Sequence, residues 1–422
     1  MNHPSQEGVH YIPTPVCCNS NWICCSSTST SSMHQPISSI NIQSIIRIQQ
    51  PPPDHYQQRL QNNRSNHRFN HKRQTLDWFT DKSRGDSRPP QRRSLPFHVC
   101  KIFGKRGQDI RLSELCFMDR WTGIVKVPVF PKATSHCRVA ASLCISPQSK
   151  ELTVPSANAI FFNGDRVEGT GNPVIERLSE LQRIADVLVS KFGGSVNAWV
   201  IEASTFNGPF AVYKEFIPSL NRWGEPLFYK ADGFPASTST ITLLLKFLEE
   251  SAKRVTKKEG SESELSESHS LLPDTYILGF SKGGTVVNQL VTELSFSKTK
   301  SMEDPLPEMS GWALRKMQGR KIIPISRESF LDSITEIHYV DVGLNSAGAY
   351  VTEDSVIKGL GEQVRLREKG IRFVLHGTPR QWCDSRRSSI RREKDKFARL
   401  LESEAHRSGG KLQACERFYF AG

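Results

Sequence analysis

Five residues, Gly279-Phe280-Ser281-Lys282-Gly283, constrain what this chain can fold into more than any other feature. They end the apolar run Tyr276-Ile277-Leu278-Gly279-Phe280, which reads as a buried strand. Beyond them Val286, Val287, Leu290, Val291 and Leu294 recur at the spacing of one helix face. A serine between a buried strand and a helix sits on a sharp, strained turn that lifts its oxygen above the sheet edge. Gly279 and Gly283 let neighbouring backbone pass such a turn without Cβ clashes. The helix N-terminus behind Ser281 favours negative charge, and the Lys282 N–H is placed to donate to a developing oxyanion. A second donor is expected from the loop after the first core strand, Asn163-Gly164-Asp165.

Two phosphate-binding readings fail on spacing. The pentapeptide lacks the Gly-Lys-Ser/Thr ending of a Walker loop, and Gly164, Gly169 and Gly171 do not fit GxGxxG.

The surrounding pattern supports a mainly parallel sheet with helices on both faces. Ile124–Val127 and Arg138–Leu143 read as an antiparallel pair of strands. After Pro155, strands at Ala159–Phe162, Ala198–Ile201, Tyr276–Phe280, Ile337–Asp341 and Ile371–Leu375 alternate with amphipathic segments. Glu416–Phe420 is expected to be the last strand. One helix is expected to be capped by Asn172, with Pro173 in its first turn, and to stop at Gly193-Gly194. Another spans Thr238–Val255. Residues 256–270, rich in Glu and Ser, read as a flexible acidic loop, and 297–330 as an irregular insertion.

Residues 1–117 read differently. They are rich in Ser, Asn, Gln, Pro and Arg, show no helix or strand period, and are expected to be a disordered extension. Their acid-poor start has the composition of an organellar transit peptide, and an extension preceding a true start at Met118 is the alternative. The ordered domain is expected over 118–422. The net charge of +13 is largely theirs, because they hold 15 Lys/Arg against 7 Asp/Glu and leave only +5 for the other 305 residues. That distribution argues against a basic nucleic-acid-binding face on the domain. No run reaches the roughly 18 apolar residues of a membrane-spanning helix. No secretory signal is expected either. The paired cysteines Cys17-Cys18 and Cys24-Cys25 lack the CxxC spacing of a zinc site, so no metal and no cofactor is expected. Cys137, Cys144, Cys383 and Cys415 read as reduced, partly buried thiols.

A serine hydrolase needs an acid and then a histidine, in that chain order. Asp384, after the second strand beyond the elbow, is the expected acid, and Asp341, one strand earlier, is the alternative. The histidine should follow the final strand, yet only Ala421-Gly422 lie beyond it. His376 and His406 are the remaining candidates for the base. His376 also reads as a packed core histidine, and His406 as a surface residue at a helix end.

Phe161–Asp165, Gly279–Gly283 with Asn288-Gln289-Leu290, Thr378-Pro379 followed by Asp384, and Arg417–Phe420 together resemble the family of human chromosome 2 open reading frame 69, in a plant-type version. The resemblance runs from about Met118 to the end and implies an α/β-hydrolase-like fold, a candidate serine nucleophile and a mitochondrial location. Members continue past the last strand into a histidine-bearing segment, and this sequence departs from that pattern at Gly422. The reading is thus a serine hydrolase of an ester, thioester or amide, with a small-molecule or lipid-like acyl substrate. The alternative is a non-catalytic binding protein with a protein partner.

Overall fold

A computed structural model describes residues 119–129, 135–167, 176–255, 272–297 and 321–419. Eight strands form one sheet: β1 (Asp119–Pro128), β2 (His136–Ile145), β3 (Ala157–Phe162), β4 (Val196–Ile201), β5 (Asp274–Phe280), β6 (Ile334–Val340), β7 (Ile371–Gly377) and β8 (Leu412–Phe418). Their spatial order is β1-β2-β4-β3-β5-β6-β7-β8. β1 pairs antiparallel with β2 and β2 with β4, and every later pairing is parallel. That order, with a sharp serine turn after β5, is the α/β-hydrolase fold.

The central strands are apolar on both faces because both are covered. Every residue of β3 and β4 is buried. One face packs against α2 (Pro235–Val255), α3 (Gly284–Ser295), α5 (Asp354–Leu366) and α6 (Ser388–Arg407). There Phe247 of α2 meets Trp199, and Phe397 of α6 meets Tyr339 and Phe373. The other face carries α1 (Leu181–Phe192), whose Phe192 packs on Tyr276 and His338. A short α4 (Arg327–Ser333) leads into β6, opened by a capping box between Ser326 and Ser329.

Several boundaries differ from the sequence reading. The last strand begins at Leu412 and ends at Phe418, earlier than expected, because α6 closes at Arg407 and Ser408–Lys411 make the turn. The segment read as irregular becomes helical at Arg327 through its serine cap. α2 starts three residues before Thr238. Cys383 is exposed, whereas Cys137 and Cys144 are buried. The expected cap at Asn172, the loop 256–270, the extension 1–117 and its paired cysteines lie outside the described residues.

Between β4 and α2 the chain makes a long excursion, with a small hairpin of Thr205–Asn207 and Phe210–Val212 followed by a turn-rich stretch. This excursion reaches the carboxyl ends of the parallel strands, where open α/β sheets bind ligands.

Candidate active site

Ser281 has φ +50, a left-handed conformation that a serine adopts only where the surroundings impose it. The imposing groups can be named. A Cβ on Gly279 would stand 2.5 Å from Val287 Cγ2 and 2.7 Å from Gly283 O. A Cβ on Gly283 would stand 2.0 Å from Phe162 O. The turn after β5 is therefore pressed between its own helix and the end of β3. Gly164 completes the arrangement, since a Cβ there would lie 2.8 Å from Ser281 Cβ and 3.0 Å from Phe280 Cδ1. The loop after β3 thus runs against the serine, as the oxyanion reading requires.

The donors within that loop can be distinguished. The Asn163 N–H is committed to Ile201 O at 2.9 Å, so it cannot serve an oxyanion, contrary to the sequence reading. Asn163 O in turn accepts from the Tyr213 hydroxyl at 2.6 Å, which fixes the loop. Gly164, the next residue, is left as the loop's donor. Across from it stands Lys282, in the first turn behind Ser281, where amides lack intrahelical acceptors. The Ser281 side chain is half-buried, and its hydroxyl has no hydrogen-bond partner among the described residues.

The Lys282 side chain was not singled out by the sequence. It is 2% exposed, lies over the Phe210 ring and donates to Trp223 O of the excursion. Burial pushes its ammonium pKa down, while Asp165 and Glu225 oppose the shift. A lysine directly after a Gly-X-Ser, with its aromatic partners about 60 to 70 residues upstream, is too general a pattern to have announced this contact.

The two candidate acids occupy very different places. Asp384 is partly exposed, at 21% for its side chain, and both of its oxygens are held by Arg386: Oδ1 by the backbone N–H at 2.9 Å, Oδ2 by Nη2 at 3.1 Å. It caps a short turn, and Arg386 holds its carboxyl below the usual range. Asp341 follows β6 directly and is fully buried, with φ +46. Phe280 and Val340 are register partners on adjacent parallel strands, so Ser281 and Asp341 leave the sheet side by side. Asp341 Oδ1 accepts from the Thr378 N–H at 3.0 Å and its hydroxyl at 2.8 Å, whereas Oδ2 is buried with no partner. Burial pushes this carboxyl up to about 6, against the pull of the Thr378 hydrogen bonds.

The candidate bases are not brought to the serine. His376 is buried, with Nε2 3.1 Å from His338 Nδ1 and Nδ1 3.0 Å from the Tyr419 hydroxyl. His338 Nε2 lies 2.9 Å from Glu336 Oε2, which completes a chain Glu336–His338–His376–Tyr419 on the α1 face. Burial holds both imidazoles below their ordinary pKa, with Arg372 and Arg417 adding to the effect. His406 is exposed near the end of α6. His376 O accepts from the Asp341 N–H at 2.8 Å, but no imidazole of the four histidines among the described residues bonds to Ser281 or to the Asp341 carboxyl. Among the described residues no group of three His, Cys, Asp or Glu could hold a metal, and no helix is long and apolar enough to cross a membrane.

Solved structures similar to this chain include the siderophore hydrolase EstA from Aspergillus nidulans, at 14% identity and TM-score 0.34, covering 75% of this chain and 92% of that one. A feruloyl esterase module from Clostridium thermocellum matches at 10% identity and TM-score 0.34, covering 71% and 81%. A lipase/esterase from Lactobacillus plantarum matches at 11% and 0.32, covering 72% and 90%. Scores at this level carry no argument, and the hydrolase fold rests on the strand order and the turn at Ser281. No curated protein matches the chain. A family model does match: residues 245–406, from within α2 to the end of α6, are similar to the C2orf69 family, and the matched stretch encloses the Ser281 turn and both candidate acids.

Proposed function

We propose that this protein is a serine hydrolase of an ester, thioester or amide, with Ser281 as nucleophile and Asp341 as the buried carboxylate of the site. One observation carries the reading: Ser281 is held at φ +50 by glycines on three sides, with the Gly164 backbone against it. Strain of this kind costs about 1–3 kcal/mol and persists where the surroundings enforce it. Ser281 Oγ attacks the acyl carbon while its proton passes to a base, and the carbonyl oxygen becomes an oxyanion facing the Gly164 and Lys282 amides. The leaving group departs with a proton, and water then releases the acyl group from Ser281. Asp341 is preferred to Asp384 because its free Oδ2 is available to an imidazole N–H, whereas Arg386 occupies both oxygens of Asp384. The base is a residue other than His338 or His376, whose ring nitrogens are all engaged.

The test is labelling of the full chain with a fluorophosphonate probe, followed by peptide mapping. Modification at Ser281 that disappears in Ser281→Ala is expected. A folded protein that does not label, or that labels equally after Ser281→Ala, refutes the assignment. The mitochondrial location implied by the family resemblance is part of the same proposal, and imaging of a tagged full chain tests it.

A further inference from the structure

The excursion between β4 and α2 ends in a turn whose exposed surface has an unusual make-up. Within residues 218–230 the exposed side chains are Pro218, Arg222, Trp223, Leu227, Phe228 and Lys230. Trp223 is 40% exposed, Leu227 64% and Phe228 46%. The two cations lie on the aromatic rings, Arg222 over Trp223 at 4.8 Å and Lys230 over Phe228 at 4.7 Å. The single acid of the stretch, Glu225, is 2% exposed and faces inward, where it accepts from the Asn345 N–H at 2.8 Å.

These apolar tips are not the by-product of a loose loop. Asn221 closes the turn on itself, its Oδ1 accepting from the Trp223 and Glu225 amides. The Tyr229 hydroxyl donates to Gly348 O at 2.6 Å and accepts from Asn288 Nδ2, while Gln289 Nε2 donates to Lys230 O. Lys282, next to Ser281, holds Trp223 O. Polar groups fix the backbone from inside, and the apolar side chains are directed to solvent.

We propose that Trp223, Leu227 and Phe228, with Arg222 and Lys230, form a docking surface for an anionic lipid bilayer. Indole and phenyl rings with cations alongside suit the boundary between acyl chains and headgroups. Two exposed cations against one exposed acid, Asp232 just beyond Lys230, leave the face net positive and favour a negative surface, where each cation contributes about 1 kcal/mol, or roughly fivefold in binding. Docking there brings the mouth beside Ser281 to the lipid, and it does not depend on Ser281 being a nucleophile.

The experiment is sedimentation of the full chain with vesicles of phosphatidylcholine alone, or with about a quarter phosphatidylserine, at near-physiological salt. Binding to the anionic vesicles is expected, weakened at least tenfold by Leu227→Asn/Phe228→Asn. Arg222→Glu/Lys230→Glu should weaken it by roughly twentyfold or more. Both pairs are exposed, so melting temperatures should stay at the wild-type value, and Ser281→Ala should bind as the wild type does. The proposal is overturned if the wild type does not bind, if it binds neutral vesicles equally, or if the variants bind undiminished through other basic segments. It is overturned equally if the variants lose only self-association or a protein partner, which would make this face a protein interface.

Discussion

Replacing Asp341 by Asn should make the protein more stable and less reactive at neutral pH. The wild-type carboxyl is buried, has one oxygen without a partner, and is pushed from 3.8 up to about 6 by burial. A shift of about two units corresponds to roughly 3 kcal/mol. The sign follows from proton counting: between pH 3.8 and about 6 the folded state holds a proton that the unfolded state has released, so stability falls as pH rises. The penalty is absent below the lower value and complete above the upper one. Asn keeps the acceptor that Thr378 uses, tolerates the left-handed φ of +46, and has nothing to ionise. Its amide also lacks a partner, so the offset between the proteins at low pH is set by local packing, but the pH dependence is not. Denaturant unfolding of both proteins from about pH 3 to pH 7.5 should show their stability difference moving by about 3 kcal/mol in favour of the variant. Other titrating groups cancel in that difference. Over the same range, probe labelling at Ser281 should fall by orders of magnitude, because a neutral amide does not stabilise the positive charge that a base gains when it takes the serine proton. A difference that stays flat with pH would refute the buried-charge argument, and unchanged labelling would refute the functional role of Asp341.

Gly164→Ala places a methyl 2.8 Å from Ser281 Cβ and 3.1 Å from Phe280 O, so probe labelling should slow by about a hundredfold for a destabilisation of about 1–3 kcal/mol. Gly283→Ala meets the backbone at 2.0 Å from Phe162 O, and soluble expression should be lost, since neither strand nor helix can yield. The neutral pair His338 and His376 faces Glu336, Arg372, Arg417 and Tyr419, with Phe192 across it from α1. Their lowered pKa values make stability fall as pH drops below 6.5, and His376→Gln should reduce that slope by up to about 1.4 kcal/mol per pH unit in urea titrations. An unchanged slope would show that His376 is not held neutral.

The core of the fold was legible because it depends on local pattern. Apolar runs such as Ala159–Phe162 and Ala198–Ile201 are buried on both faces, and a period of two or 3.6 suffices to find them. α5 escapes the sequence reading, although Val356, Ile357, Leu360 and Val364 carry its signal, because they are diluted by two glycines and by polar residues such as Asp354, Lys358 and Glu362. The site was less legible. Gly-X-Ser-X-Gly marks a turn that the backbone must make, but the value of an acid depends on what surrounds it. Asp384 and Asp341 each follow a strand, and only the three-dimensional neighbourhood separates a carboxylate held by Arg386 from one with a free buried oxygen. Likewise the Asn163 amide is spent on Ile201 O, a residue 38 positions away that no spacing rule connects to it.

Helix α3 is buried along its entire length, yet half of its residues are polar. Thr285, Thr292 and Ser295 bond back to carbonyls three or four residues earlier, and the other three reach the excursion and the start of α2: Asn288 holds Tyr229, Gln289 holds Lys230, and Glu293 accepts from the Ala236 and Ser237 amides. Lys282 adds its bond to Trp223 O. Lifting the excursion away from the serine would break the bonds of Tyr229, Lys230 and Trp223 just named, together with Tyr229 to Gly348 O and the Asn345 N–H to Glu225. At about 1 kcal/mol for each of these five, the opened form would be roughly one molecule in several thousand. The excursion therefore behaves as a fixed wall of the entrance, not as a lid. Substrate selection at Ser281 is then a matter of what fits past a standing wall, and it is set before any ligand arrives.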